Sequence, residues 1–228
     1  MIQRFVRVGL PCLAALLVAG CLLRNNVAAS EKAMALPAPA VDDHLASSPG
    51  QETAVIAGGC FWGIQAVFQH VKGVISATSG YSGGSKTTAE YEIVSTGTTG
   101  HAESEKIVYD PSKITYGQLL QVFFSVATDP TQLNRQDPDE GTQYRSVIFY
   151  ANDQQKKIAE AYIAQLNAAK IFKNKIVTQV VPLKAFYPAE GYHQDYAERH
   201  PDNPYIATYD APKVAALQKM FPQLYKNQ

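Results

Sequence analysis

The residues most able to do chemistry lie in the stretch GGCFWG at positions 58–63. A cysteine thiolate is a strong nucleophile, so Cys60 is the first candidate for a catalytic residue. Phe61 and Trp62 follow it, and two adjacent aromatic side chains at the beginning of a helix cannot both face the core. One interpretation is that they line a pocket for a small apolar group, such as a methyl group. The other is that Phe61 packs inward and Trp62 is an ordinary, partly exposed aromatic residue.

The periodicity around Cys60 predicts that it lies between a strand and a helix. Residues 53–57 read TAVIA, which is typical of a buried strand, and apolar residues at helical spacing follow from Phe61. Gly58 and Gly59 permit a sharp turn between the two elements. Unpaired backbone N–H groups and the helix dipole at such a position favour a thiolate over a thiol. The competing interpretation is a buried cysteine that only packs.

The remaining pattern predicts the fold that must position this cysteine. Further strands are expected over 74–81, 105–109, 146–150 and 176–181, and helices from Thr115, from Asp153 to Ala169, and near 194–198 and 211–219. The first six elements run β-α-β-β-α-β, the order of the ferredoxin-like split βαβ fold. We therefore predict an α+β two-layer sandwich with helices on one face of a sheet, extra C-terminal helices and irregular segments. This catalytic domain is expected to span residues 53–228.

The N-terminal segment is typical of a secretory signal. Residues 1–21 contain two arginines, an apolar run from Val8 to Ala19 that is short for a membrane span, and small residues at the end. Val18-Ala19-Gly20-Cys21 resembles a bacterial lipobox, in which the cysteine becomes the lipid-modified first residue; cleavage after Ala29 is the alternative. We expect an exported protein on the periplasmic side of a bacterial membrane, with a lipid anchor through Cys21. Residues 22–52, rich in Ala, Pro and Ser, predict a disordered tether.

The number of cysteines limits the redox chemistry of the mature chain. The sequence contains Cys12, Cys21 and Cys60, and the first two lie in the signal or at its end. An intramolecular disulfide is therefore excluded if the signal is removed. A single thiol in an oxidising compartment is either buried and inert or functional.

The overall charge excludes some classes of partner. The chain has 20 basic and 20 acidic residues and a formal net charge of zero, which does not favour nucleic-acid binding or an electrostatic membrane patch. No paired Cys or His spacing indicates a metal site, and no glycine-rich motif indicates a nucleotide. We expect a monomer without a bound cofactor.

The blocks around Cys60 resemble a known family. GCFWG (59–63), GYSGG (80–84), EYEIVSTGTTGHAE (90–103), VYDP (108–111), DPTQLNRQDPDEGTQYRS (129–146) and FYPAEGYHQDY (186–196) are similar, in the same order, to blocks of the A-type peptide methionine sulfoxide reductases. The similarity extends over roughly residues 53–209. It implies thiol-dependent reduction of methionine S-sulfoxide, in oxidised proteins and in the free amino acid, which repairs oxidised proteins.

The resemblance also implies a role for each site residue. Cys60 attacks the sulfoxide sulfur, the oxygen leaves as water, and Cys60 becomes a sulfenic acid. Glu103 supplies a proton to the oxygen, which a carboxyl group in an apolar pocket retains at neutral pH. Tyr91 and Tyr144 donate hydrogen bonds to the same oxygen. Three further residues complete the site: Asp139 polarises or positions it, and Phe61 and Trp62 hold the S-methyl group.

The C-terminal residues differ from those of many family members, and this difference implies that the reductant is a separate molecule. Many relatives carry further cysteines near the C-terminus, whereas residues 197–228 contain none. We expect the sulfenic acid to be resolved by thioredoxin, glutaredoxin or a small thiol through a mixed disulfide.

Two alternatives remain from the residues themselves. The first is a Cys–His hydrolase that uses His101 or His193 with Cys60. It would leave Tyr91, Glu103 and Tyr144 without roles. The second is a lipid-anchored binding domain in which Cys60 is buried and inert.

Overall fold

The computed structural model describes residues 33–227. The strands are β1 (Glu52–Ala57), β2 (Val74–Ser82), β3 (Ala102–Tyr109), β4 (Arg135–Gln136), β5 (Asp139–Glu140), β6 (Val147–Tyr150), β7 (Gln179–Pro182) and β8 (Phe186–Pro188). The helices are α1 (Phe61–Gln69), α2 (Tyr91–Val94), α3 (Tyr116–Val122), α4 (Asp153–Ala168), α5 (Tyr196–Arg199) and α6 (Ala211–Met220). Within the described residues, no helix combines the length and hydrophobicity that crossing a membrane requires.

Six strands form one sheet in the order β7-β6-β1-β3-β2-β8. All neighbouring strands are antiparallel except β6 and β7, which are parallel. The four inner strands, with α1 between β1 and β2 and α3 between β3 and β6, have the connectivity of the split βαβ fold. The predicted α+β architecture is confirmed.

The side chains of β1 point alternately to the two faces of the sheet, and the helices cover one of these faces. Ala54 and Ile56 belong to the main core beneath the helices, whereas Val55 and Ala57 contribute to a smaller cluster on the opposite face. The buried residues of α1 include Ile64, Val67 and Phe68 and pack on the first face. Helix α3 begins at a capping box in which the Thr115 hydroxyl accepts the Gln118 N–H while the Gln118 side chain accepts the Thr115 N–H.

Some boundaries differ from the prediction for physical reasons. Strand β3 begins at Ala102 rather than at residue 105, because residues 102–105 are buried although two of them are glutamates. The residue that caps α4 is Asn152 rather than Asp153, since the Asn152 side chain accepts the Gln155 N–H. The strand predicted over 176–181 begins only at Gln179, where pairing with β6 starts.

The structure corrects the predicted disordered tether for residues 33–51, here called the N-terminal strap. Leu36 is 3% exposed and packs in the main core. Its N–H donates to Ser125 Oγ (3.2 Å), and its carbonyl accepts from Gln121 Nε2 (2.7 Å). The strap has no helical or strand period because single residues, rather than one face of an element, make its contacts. The rest of the predicted tether before residue 33, and the predicted signal over 1–21, lie outside the described residues.

A second contact joins the strap to the start of α3. Asp42 accepts the Thr115 hydroxyl (2.5 Å) and the Gly117 N–H (2.8 Å). A carboxylate at this position is favoured by the unpaired N–H groups and the dipole at a helix N-terminus. A side chain at Gly117 would collide with Asp42, since an added Cβ would lie 2.5 Å from its Cγ.

Replacing Leu36 with alanine should measure how firmly the strap is bound. Leu36→Ala removes a buried leucine, so we expect the free energy of unfolding to fall by about 2–5 kcal/mol. Leu45→Ala, at a strap residue that is 53% exposed, is the matched control and should change it by less than about 0.5 kcal/mol. Thermal and urea unfolding of the two variants measure this. Equal stabilities would mean that the strap is not packed as described.

Candidate active site

Cys60 occupies the N-cap position of α1, directly after β1. The turn before it depends on glycine: Gly59 has a φ of 108°, and a Cβ there would lie 2.6 Å from Cγ of Gln136. A Cβ on Gly58 would likewise approach within 2.7 Å of the Thr128 hydroxyl. The predicted junction of strand and helix is therefore present, and Cys60 is 8% exposed in it.

Glu103 on β3 is held at the first turn of α1. Its Oε2 accepts the backbone N–H of Phe61 at 3.1 Å, and its side chain is 2% exposed. Burial raises the pKa of Glu103 to about 8, helped by Asp139 and Asp210 and opposed by the Phe61 N–H. At neutral pH the carboxyl group is therefore mostly protonated, with Oε1 free to carry the proton.

The surroundings of Cys60 reverse the expectation drawn from the helix N-terminus. Burial, and then the carboxyl groups of Glu103, Asp210 and Asp139, raise the pKa of the Cys60 thiol well above its usual value. The backbone N–H of Trp62 acts in the opposite direction but does not prevail. The resting site therefore holds a thiol beside a protonated carboxyl group.

The structure brings the other predicted polar residues to the same place. Tyr91 lies at the beginning of α2, Asp139 at the beginning of β5, and Tyr144 in the turn before β6. Burial raises the pKa of the Tyr144 phenol, and so does its proximity to the acidic groups of Glu103, Asp139 and Cys60. Both tyrosines therefore stay protonated and able to donate hydrogen bonds, since burial also raises the pKa of Tyr91.

Aromatic rings form one wall of the site. Phe61 is fully buried, with its ring centroid 5.9 Å from that of Tyr81, whereas Trp62 is half-buried. The indole of Trp62 is stacked on Tyr196 at 3.9 Å and meets the edge of Tyr205 at 6.1 Å. Phe61 and Cys60 pack in the same cluster, against which Trp62, Tyr91 and Tyr205 lie. This is an apolar lining beside the sulfur.

Residues near the C-terminus complete the site and were missed from the sequence. The Tyr205 hydroxyl donates to Asp139 Oδ2. Asp210, fully buried, pairs with Lys213 at 3.2 Å and contacts Gly63, where a Cβ would lie 2.1 Å from Asp210 Oδ1. Only the close approach at Gly63 leaves a trace in the sequence, as a glycine inside a helix.

The two histidines considered for a hydrolase are used elsewhere. His101 Nδ1 accepts the Gly84 N–H (3.2 Å) and its Nε2 lies 2.9 Å from the Ser85 carbonyl oxygen. His193 Nδ1 accepts the Trp62 indole N–H at 3.2 Å. Neither ring is bonded to Cys60, so a Cys–His pair does not form among the described residues. Over residues 33–227 there is also no cluster of His, Cys, Asp and Glu that could hold a metal ion.

Comparison with known proteins gives one consistent result. The family model described as peptide methionine sulfoxide reductase matches residues 52–225. A peptide methionine sulfoxide reductase MsrA 2 of Mesorhizobium japonicum is 63% identical over 179 residues, which cover 78% of this chain and 92% of the relative. The MsrA 2 of Synechocystis is 49% identical over 195 residues, covering 85% and 91%.

Solved structures agree with the sequence comparison. The reduced form of Mxr1 from Saccharomyces cerevisiae superposes with a TM-score of 0.62 at 30% identity, covering 73% of this chain and 98% of Mxr1. Methionine sulfoxide reductase A of Corynebacterium diphtheriae gives a TM-score of 0.58 at 36% identity, covering 74% and 85%. The chain therefore belongs to the peptide methionine sulfoxide reductase family. It is a peptide-methionine (S)-S-oxide reductase, an oxidoreductase.

Proposed function

We propose that this enzyme reduces methionine sulfoxide through a sulfenic acid on Cys60, with Glu103 as the proton donor. The observation that carries the proposal is the hydrogen bond from the Phe61 N–H to Glu103 Oε2. This bond holds the carboxyl group of Glu103, which is mostly protonated at neutral pH, next to Phe61. Phe61 directly follows Cys60, the only cysteine among the described residues.

In the first half-reaction the Cys60 sulfur attacks the sulfoxide sulfur. The sulfoxide oxygen becomes more basic as this bond forms, and it takes the proton of Glu103. The oxygen takes up this proton and the proton of the Cys60 thiol and leaves as water, which breaks the S–O bond of the substrate. A water molecule then attacks the Cys60 sulfur and breaks the bond between the two sulfurs, which releases the thioether, leaves Cys60–SOH and returns a proton to Glu103. In sum, Cys60–SH and sulfoxide give Cys60–SOH and thioether: the substrate sulfur is reduced and the cysteine sulfur is oxidised.

The remaining residues stabilise and orient the substrate. The phenols of Tyr91 and Tyr144 donate hydrogen bonds to the oxygen as its negative charge develops, which stabilises the transition state more than the ground state. Asp139, which accepts a hydrogen bond from the Tyr205 hydroxyl, polarises or positions the site. Phe61 and Trp62 receive the S-methyl group, which places the sulfoxide sulfur over Cys60.

The second half-reaction requires thiols from outside the domain. Cys60 is the free cysteine among the described residues, so no second thiol there can attack the sulfenic acid. One external thiol displaces water and forms a mixed disulfide with Cys60, and a second thiol releases Cys60–SH and a disulfide. A thioredoxin, a glutaredoxin or a small thiol has this chemistry. The substrates are oxidised proteins or peptides as well as free methionine sulfoxide.

We also propose that the enzyme acts outside the cytoplasm, anchored by a lipid on Cys21. The signal-like residues 1–21 and their lipobox-like end support this location. A protein repair enzyme in an oxidising compartment would meet oxidised surface proteins there.

Replacing Glu103 with glutamine should remove the proton donor while keeping the acceptor for the Phe61 N–H. We expect kcat/KM for methionine sulfoxide to fall by about 10²–10⁴ at pH 7. The wild-type value should also fall as the pH rises through about 8, since Glu103 is active in its protonated form, and this loss should be absent in Glu103→Gln. Steady-state kinetics from pH 6 to 9 measure both effects.

Glu105→Gln is the matched control for this change. Glu105 is also buried on β3 and accepts only the Ser79 hydroxyl, and glutamine can do the same. The control should keep the wild-type rate. A Glu103→Gln variant that keeps the wild-type rate and pH profile would contradict the role of Glu103.

Trapping the oxidised enzyme tests the sulfenic acid and the lack of an internal resolving thiol. After one turnover without reductant, we expect the Cys60 peptide to react with dimedone and to form a mixed disulfide when a small thiol is added. Cys60→Ser should give neither product. Mass spectrometry identifies both adducts, and an intramolecular disulfide in the mature protein would overturn the scheme.

The lipid anchor predicts a modification of one N-terminal cysteine. Metabolic labelling with a radioactive fatty acid should label the wild type and Cys12→Ala equally, whereas Cys21→Ala should lose the label. Retention of the label in Cys21→Ala, or an unlabelled wild type with an N-terminus after Ala29, would refute the anchor.

A further inference from the structure

The indole of Trp62 is held by two residues of the segment 189–196, here called the C-terminal loop. Tyr196 stacks on one face of the indole at a centroid distance of 3.9 Å and an interplanar angle of 12°. The indole N–H donates to His193 Nδ1 at 3.2 Å. Stacking leaves an aromatic ring free to slide and turn in its own plane, whereas a directional hydrogen bond does not.

We propose that His193 is a positioning residue for the reaction, which fixes the Trp62 indole as a wall of the methyl pocket by accepting its N–H at Nδ1. The inference rests on the proposed role of Trp62 in holding the S-methyl group. Through the indole, His193 sets the position of the sulfoxide sulfur relative to Cys60 without touching the reacting atoms.

The His193 ring is rigid enough for this role. It is 2% exposed, and its centroid lies 4.3 Å from that of Tyr91 and 5.1 Å from that of Phe61. The ring of Tyr192 covers it at 4.2 Å. His193 therefore contacts two aromatic residues of the site besides Trp62.

The backbone of the C-terminal loop is anchored on both sides of His193. Before it, the Glu190 carboxylate accepts the Tyr91 N–H (2.9 Å) and the Tyr81 hydroxyl (2.9 Å). After it, the Gln194 side-chain amide accepts the Ser79 N–H and donates to the Ser79 carbonyl, each at 3.0 Å. The loop is thus fixed to both α2 and β2, so a change at His193 should act locally.

The hydrogen bond requires one protonation state of the imidazole. Because Nδ1 accepts, the proton of the neutral ring is on Nε2, which has no hydrogen-bond partner within the described part of the chain. A protonated ring would present N–H at both nitrogens, and two donors would then face each other at Trp62. Protonation of His193 therefore breaks the contact.

The groups that face His193 keep it neutral near pH 7. Burial lowers its pKa from 6.5, and the nearby Glu190 carboxylate opposes this shift. The phenols of Tyr91 and Tyr192 also face the ring and are uncharged, because burial raises the pKa of each. Phe61 and Trp62 add no charge. The contact is present at neutral pH and is lost as the pH falls through the pKa of His193, below 6.5.

Two substitutions distinguish the effect of the hydrogen-bond acceptor at His193 from the effect of packing by its ring. His193→Phe keeps an aromatic ring but has no acceptor, so we expect KM for methionine sulfoxide to rise about three- to tenfold, the value of one lost hydrogen bond, with kcat little changed. His193→Asn keeps an acceptor at the position of Nδ1 and cannot be protonated. Its KM at pH 7 should remain within about twofold of wild type and should not rise at low pH.

Fluorescence gives a second readout because Trp62 is the single tryptophan of the sequence. Wild-type emission should change with pH in one transition below pH 6.5, together with KM, and both His193 variants should lack it. His200→Gln is the control, since the His200 ring lies 4.3 Å from that of Tyr196, the residue stacked on Trp62. This variant should keep the transition. Persistence of the transition in both His193 variants would overturn the proposal, even if one of them folded poorly.

A double-mutant cycle distinguishes this inference from the proposed function. Trp62→Phe should raise KM, and His193→Phe should add nothing further in that background. If Trp62→Phe leaves KM unchanged, the methyl pocket is wrong. If Trp62→Phe raises KM but His193→Phe does not, only the positioning role of His193 fails.

Discussion

The hydrogen bond from the Phe61 N–H to Glu103 ties the beginning of α1 to the central strand β3. The first N–H groups of a helix need partners, and a buried carboxyl group needs donors, so each satisfies the other. This contact is possible only where β1 and β3 pair and α1 starts directly after β1. The split βαβ connectivity therefore positions Glu103 and Cys60, the proposed proton donor and nucleophile, together.

The rest of the site is built around this contact from separate parts of the chain. The β4–β5 hairpin brings Asp139 and the turn after it brings Tyr144, and the C-terminal loop brings His193 and Tyr196. None of these segments is a long regular element. Each is instead fixed by side-chain hydrogen bonds, such as those of Glu190 and Gln194.

The sequence predicts the helices and strands whose apolar residues recur at helical or strand spacing. The strand before Cys60, the helix after it and the order of the inner strands follow from apolar spacing. The strap could not be predicted, because Leu36 is a single buried residue in a segment without helical or strand period, and Asp42 acts by capping α3. Asp210 and Tyr205 could not be predicted either, since their contacts with Gly63 and Asp139 join residues far apart in the chain. Cys60 and Glu103 were found because their blocks are short and specific.

The charges around Cys60 show why a helix N-terminus alone does not activate a thiol. The N–H groups of the first turn favour the thiolate, but burial and three carboxyl groups favour the thiol. The apolar enclosure that keeps Glu103 protonated is the same one that keeps Cys60 protonated, so a proton donor and a resting thiolate are not available together. In the proposed reaction a sulfoxide resolves this conflict, because it brings an acceptor for the Glu103 proton and a sulfur for Cys60 at once.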